Sequence, residues 1–570
     1  MTKNYKVFLL MVLILILAGA LRLIQIKNAP PGLYPDEAMN GNNALEALRT
    51  TPPDGGFKVF YPENNGREGL FINIQALFLK VLIPKDGVPE PWMLRLASAI
   101  FGILTVLGIY FLIKELLHNP TIALLSSFLI ATSFWHINFS RIGFRAIMAP
   151  AFLVWGIFLL LKALNQTKNK PQITNYPDGK AIEDSRQSRN KLQTNPDDQS
   201  PKSKSFWNLY FEIWILPALA GLVYGLGFYS YIAYRVTPLL IFVILWFYFK
   251  KNKRNGSLKK FWLSTFCFLI SALIVVLPLA FYFMNNPQDF FGRTAQISIF
   301  SAQGGSASGG DSLTVLKNLG FNAIKTLGMF NFSGDWNWRH NIAGAPLLFW
   351  PVGIMFLIGI ATAIKNIIQK SKIKNQNDNL KIKNNLPRAD TEILHFAFCI
   401  LISWLVTAAL PVIISNEGLP HALRSILMAP AVFIIAAIGA VKTYQWFSEK
   451  KVVAKSILTL GSFLFILALI AEAYNAYFIR WARNPETQNA FAQNYVSMAK
   501  EINTLPKEIP KYVVVEASGA DVRGIPMPAQ TVMFITDTFL ADGQKQKNVF
   551  YVLPDQKDKI PEGSIVFTLN

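Results

Sequence analysis

Apolar runs long enough to cross a bilayer recur along the whole chain, and that recurrence leaves few folds open. A helix rises about 1.5 Å per residue, so roughly 20 apolar residues span the hydrocarbon core. Eleven such windows fall at about 7 to 26, 92 to 113, 121 to 137, 148 to 164, 209 to 226, 236 to 249, 261 to 283, 346 to 364, 394 to 414, 426 to 446 and 457 to 478. The first follows Lys3 and Lys6 and is long for a signal-peptide core, so it reads as a retained span. The expected fold class is mainly α: a polytopic membrane protein with about eleven transmembrane helices, external interfacial helices and a small external C-terminal α/β domain.

Lys and Arg should collect in alternate loops if the spans are counted correctly. The formal charge of +21 is distributed that way: the stretches 165–208 and 365–393, "KKNKRNGSLKK" from Lys250 and "SEKK" from Ser448 all fall on the N-terminal side. That side is therefore expected to be cytoplasmic, in a multi-pass protein of the cell membrane. The stretches 165–208 and 365–393, polar and rich in Lys and Asn, are expected to be linkers without a core. No zinc-finger spacing or RNA-binding motif accompanies the basic excess, so nucleic acid is not an expected partner. Cys267 and Cys399 lie inside apolar runs and form neither a disulfide framework nor a metal pattern.

The opposite, external side receives 27–91, the loops near 138–147, 227–235 and 415–425, the loop 284–345, and the tail. Two regions follow, a transmembrane domain over 1–480 and an extracytoplasmic domain over 481–570. In the tail "NAFAQNYVSMAKEINTL" reads as an amphipathic helix, and "KYVVVEA", "TVMFIT", "NVFYVL" and "SIVFTL" read as strands.

Every suggestive polar cluster lies on that external side. Asp36 and Glu37 in "GLYPDEAMNG" follow Pro30, Pro31 and Pro35 and precede a helix-compatible stretch. They fit a solvated loop, and they fit the start of a short interfacial helix. A carboxylate pressed against the membrane boundary is partly desolvated and more basic, as a general base requires. Adjacent acids are also compatible with a divalent cation, though no cofactor is required by any motif. Glu63, Arg67 and Glu68 fit either a surface ion pair or groups that orient an acceptor or a donor sugar.

Four basic clusters complete the set. Arg141 and Arg145 in "FSRIGFRAIMAP" share a face if helical, and a lipid phosphate would suit them as well as head-group anchoring would. His421 and Arg424 in "PHALR" would meet an anion if a helix began near Pro420. Tyr231 and Arg235 in "GFYSYIAYR" fit an aromatic belt or a binding wall. Asp335, Arg339 and His340, in a loop with Trp336 and Trp338, suit a sugar ring or a lipid surface equally.

In their order and sidedness, "GLYPDEA", "FSRIGFRAIMAP", "GDWNWRHNIAG" and "PHALR" resemble the glycosyltransferase C superfamily. Over roughly 1–480 the chain looks like bacterial relatives of protein O-mannosyltransferases and of the lipid A aminoarabinose transferase. The resemblance implies transfer of a sugar, with inversion, from a polyprenyl-phosphate donor in the lipid bilayer to an extracytoplasmic acceptor. It implies Asp36 as the base that deprotonates the acceptor hydroxyl, with Glu37 supporting it or binding the acceptor. Arg141, Arg145, His421 and Arg424 are candidates for the carrier phosphate. The tail has no obvious counterpart in protein O-mannosyltransferases, so the acceptor stays open among a protein hydroxyl, a lipid and an envelope glycan. A transporter or flippase of lipid-linked sugars is the rival reading. Such proteins place ionisable groups at the midplane of spans, where this sequence has few.

Overall fold

The computed structural model describes residues 3–51, 55–165, 214–291, 312–375, 388–415 and 418–570. Of the expected linkers, all of 165–208 except Asn165 and part of 365–393 lie outside the described residues. Helices dominate: α1 (Lys3–Leu23), α2 (Pro35–Arg49), α3 (Leu70–Leu82), α4 (Pro91–Leu117), α5 (Pro120–Ala131), α6 (Phe134–Phe139), α7 (Met148–Asn165), and further ones given below by residue range. Among the described residues, nine helices are long and apolar enough to cross a membrane. Three apolar helices are shorter, at Leu70–Leu82, Pro120–Ala131 and Leu216–Tyr229.

Each expected span falls on a helix, but two of them fall on short ones. The span expected at 121–137 is divided because Ser133 restarts the helix: its hydroxyl accepts the His136 N–H as an N-cap. The span expected at 209–226 begins outside the described residues.

The bundle has two chemically different ends. One gathers Lys250, Lys251, Lys253 and Arg254 at the end of the helix Thr237–Arg254, where Arg254 pairs with Glu392 at 3.6 Å. At the other end α2, α3 and the connecting loops meet. There Asn138 donates to the Arg339 carbonyl at 2.9 Å and Trp481 to the Trp338 carbonyl at 2.7 Å. A small antiparallel pair, β1 (Phe60–Tyr61) with β2 (Arg67–Glu68), closes the turn between α2 and α3.

The C-terminal segment belongs to this second end. Its strands are β3 (Lys511–Val515), the hairpin β4 (Asp521–Val522) and β5 (Ile525–Pro526), β6 (Val549–Val552) and β7 (Ile565–Leu569). The sheet is parallel, ordered β6-β3-β7. The expected strand "TVMFIT" is instead part of a helix, Ala529–Thr536, with all eight residues buried. Four apolar residues flanked by two threonines, all six buried, show no period, so composition alone could not separate helix from strand.

That helix packs on α2, and Leu33, Leu45, Leu94, Val513, Val532 and Phe534 belong to one apolar cluster. The C-terminal segment thus shares its core with α2, α3 and the start of α4. Gly41 makes the approach possible, because a methyl group there would lie 2.4 Å from the buried Phe534 ring. Gly41→Ala should cost about 1–3 kcal/mol through overpacking, read as a lower thermal midpoint of the purified protein. An unchanged midpoint would mean that the contact is soft.

Candidate active site

The helix α2 carries six polar residues among its first twelve positions, yet nearly all of it is buried. Such a helix is stable only if each polar side chain finds a partner. Here the partners come from several directions. The Glu37 carboxylate accepts from Arg95 Nε at 2.9 Å and from the Gly143 N–H at 2.9 Å. Asn40 donates to the Gly143 carbonyl at 3.0 Å and accepts from Arg67 at 2.6 Å. Asn42 donates to Gln530, Asn43 accepts from Arg67 at 2.7 Å, and Glu46 receives both arms of Arg523 at 2.7 and 2.9 Å. These bonds tie α2 to α4, to the turn after α6, to β2 and to the C-terminal segment. The one acid of the first turn left at an open surface is Asp36, which is half-buried and accepts from Asn64 at 2.8 Å.

Tyr34 and Asp36 form a wall common to two cavities. The smaller, about 350 Å³, is lined on its far side by Arg339, His340, His421 and Arg424, with Tyr231 and Asn337. Arg339 lies over the Tyr34 ring at 3.9 Å. The larger, about 740 Å³, opens between the start of α2 and the C-terminal segment.

Asp335 organises the cationic side without lining the cavity. Its Oδ1 accepts the Asn337 N–H at 2.8 Å, and its Oδ2 accepts the Ala422 N–H at 2.8 Å and lies 3.0 Å from His340 Nδ1. His421 Nδ1 is 3.8 Å from the same oxygen, and the two imidazole rings are 4.9 Å apart. Burial holds the His340 pKa below its ordinary value, against the opposing pull of Asp335. Arg424 donates to Ser415 and is almost fully buried.

Asp335, His340 and His421 offer ligand atoms within 4.8 Å of one another, a donor set that by type suits a divalent metal. The Asp335 oxygens are already engaged by backbone N–H groups, and Arg339 and Arg424 add positive charge to the same cavity. That electrostatic balance fits an anion better than a cation. Nor do Asp36 and Glu37 converge as cation ligands, since Glu37 is fully buried against Arg95 and Gly143.

Other expected site residues are placed elsewhere. Arg141 and Arg145 do not share a helix, because α6 ends at Phe139 and a turn separates them. Arg141 is buried, donating to the carbonyls of Leu21, Ile24 and Ala29 at 2.7–3.1 Å and stacking on Phe478. It anchors the end of α1 and does not reach the cationic cavity. Arg145 pairs with Glu68 at 3.0 Å, and Arg235 reaches the same carboxylate at 3.5 Å. Arg67 holds α2, and Glu63 accepts from Arg523 at 2.8 Å. Burial raises the Glu63 pKa, but the Arg523 bond, a backbone hydrogen bond and the charges of Arg523 and Arg67 together outweigh it, and the net shift is downward. No helix begins near Pro420. The segment stays in turns until Ile426, and its Ala422 N–H turns to Asp335.

Sequence reasoning missed Arg95, Asn64 and the residues of the C-terminal segment. Arg95 carried a usable signal, since a charged residue near the start of a span calls for a buried partner. The remaining residues are uncharged amides or side chains whose role depends on long-range folding.

The family model of dolichyl-phosphate-mannose-protein mannosyltransferases matches residues 71–174, a stretch that includes Arg95, Arg141 and Arg145. No curated protein matches the sequence. One similar solved structure is the oligosaccharyltransferase AglB from Archaeoglobus fulgidus, in complex with an inhibitory peptide and a dolichol-phosphate. It is 13% identical over 94% of this chain and 64% of that one, with a TM-score of 0.49. Another is ArnT from Cupriavidus metallidurans bound to undecaprenyl phosphate, 11% identical over 96% of this chain and 90% of that one, also at 0.49. The chain therefore spans about two thirds of the archaeal protein's length.

Proposed function

We propose that this multi-pass membrane protein is a glycosyltransferase of the C superfamily that moves a sugar from a polyprenyl-phosphate donor to an extracytoplasmic hydroxyl, with inversion. Asp36's place in the wall between a cationic cavity and a larger, open one carries this reading. A transfer reaction needs a base where donor and acceptor meet, and only a group bordering both spaces can serve. The matched family is itself named for a lipid-phosphate sugar donor, which supports the donor class.

In this mechanism the carrier phosphate lies in the smaller cavity against Arg339 and Arg424, with His340 and His421 completing the wall. The acceptor hydroxyl approaches from the larger cavity and gives its proton to the Asp36 carboxylate. Its oxygen attacks the anomeric carbon from the face opposite the phosphate. The new C–O bond forms as the old one breaks, and the electron pair leaves with the phosphate oxygen, whose growing charge the two guanidinium groups stabilise. Asn64 holds the Asp36 carboxylate in one orientation. Glu37 and Arg95 act on the reaction only by fixing α2.

The basic end of the bundle is the cytoplasmic end on this reading, which leaves α2 and the C-terminal segment outside the cell membrane. Separate Arg339→Ala and Arg424→Ala proteins should each bind polyprenyl phosphate roughly tenfold or more weakly, the scale of a hydrogen bond to a charged group. Titration of the purified proteins in nanodiscs measures this. Wild-type affinity in both variants would remove the phosphate from the smaller cavity.

A further inference from the structure

We infer that the larger cavity takes a neutral saccharide as acceptor, an assignment that rests on the glycosyltransferase reading and narrows it to one acceptor class. Asp36 is the only residue with a side-chain charge among the described residues lining the cavity. Its walls present the amides of Asn64, Asn65, Asn489 and Asn494 and the rings of Tyr34 and Tyr495. Within the described residues the side-chain amides of Asn65, Asn489 and Asn494 make no hydrogen bond, and all three residues are exposed. Amides supply both donors and acceptors, and tyrosine rings supply flat apolar faces. Together they match a hydroxylated ring, which offers donors, acceptors and apolar C–H faces.

The same chemistry argues against the other acceptor classes. A phosphorylated lipid head group would need cations on this side, and the described lining has none. An acyl chain would meet amides. A peptide main chain commonly binds by extending a sheet edge, and no lining residue belongs to a strand. The volume of about 740 Å³ lies within the roughly 300–1,000 Å³ typical of small-molecule pockets, enough for a short saccharide. Besides the start of α2, the lining comes from the loop before α3, the residues 489–495, and the turn 518–520 with Met527 and Pro528. The C-terminal segment therefore supplies much of the acceptor wall, which gives a task to a region that the transmembrane helices alone do not explain.

Full-length protein in nanodiscs is tested by saturation-transfer NMR with neutral gluco- and manno-disaccharides, the corresponding disaccharide phosphate, and a Ser/Thr-containing peptide. The neutral disaccharides should give transfer, weakened at least tenfold in the Asn489→Ala/Asn494→Ala protein, while polyprenyl-phosphate binding stays at the wild-type level. Transfer to the peptide or the sugar phosphate alone would overturn the assignment, as would saccharide binding unaffected by the double substitution. The same preparation is assayed for release of polyprenyl phosphate from the donor. Asp36-dependent release without saccharide binding sinks the acceptor assignment and leaves the transferase standing. Saccharide binding at Asn489 and Asn494 without any donor cleavage keeps the binding site and sinks the transferase.

Discussion

The Asp36→Asn protein is expected to fold and to bind its lipid donor as the wild type does, and to turn over at least about 10²-fold more slowly. Asparagine keeps the shape of aspartate and can still accept from Asn64, so the network around α2 is preserved. What it loses is the ability to take a proton. The donor phosphate should be indifferent to the change, because its cationic wall is built from the loops at 335–340 and 418–424 and not from α2. Single-turnover kinetics with saturating donor separates the two effects. A fall in affinity with an undiminished rate would make Asp36 a binding group and leave the reaction without its base.

Arg95→Ala is expected to be the most damaging single change to stability. Arg95 and Glu37 are both fully buried, with Nε and Oε1 2.9 Å apart, and Arg95 also donates to the carbonyls of Pro30 and Gly32 at 2.8 and 2.7 Å. Removing the cation leaves a buried carboxylate unpaired and two carbonyls unsatisfied, a loss of about 3–5 kcal/mol. Thermal unfolding should register it as a large drop in midpoint or as failure to accumulate. Glu37→Gln, which keeps acceptors for Arg95 and Gly143, should be milder and should retain turnover in the folded fraction. A well-folded Glu37→Gln protein without turnover would instead place Glu37 in the chemistry.

The spans were legible because a run of about 20 apolar residues has few other uses. The pair Asp36 and Glu37 was legible as a feature, but not the division of labour within it. Successive helical residues point about 100° apart, so one carboxylate turns to the cavity wall and the other to the core. The partner that decides this, Arg95, lies 58 residues away in sequence. Arg141 could not be distinguished from a phosphate ligand, because a guanidinium that anchors backbone carbonyls has the same composition as one that binds a lipid. Arg339, His340, His421 and Arg424 were each visible as charged residues in two separate loops. Their convergence depends on the Asp335 carboxylate bridging to Ala422, an 87-residue contact that no local pattern encodes. Asn489 and Asn494 were invisible for the opposite reason: they carry no charge, and only long-range folding, which sets the backbone of Phe491 and Gln493 against Gly32 just before α2, brings them into the cavity that Asp36 lines.

The most direct test of group transfer is to supply purified protein in nanodiscs with a panel of polyprenyl-phosphate-linked sugars and follow release of free polyprenyl phosphate. Release from at least one donor by the wild type, with the product sugar inverted at its anomeric carbon, is the expected result. Intact donor throughout, together with movement of the whole lipid-linked sugar between leaflets in liposomes, would contradict a transferase and make the molecule a flippase.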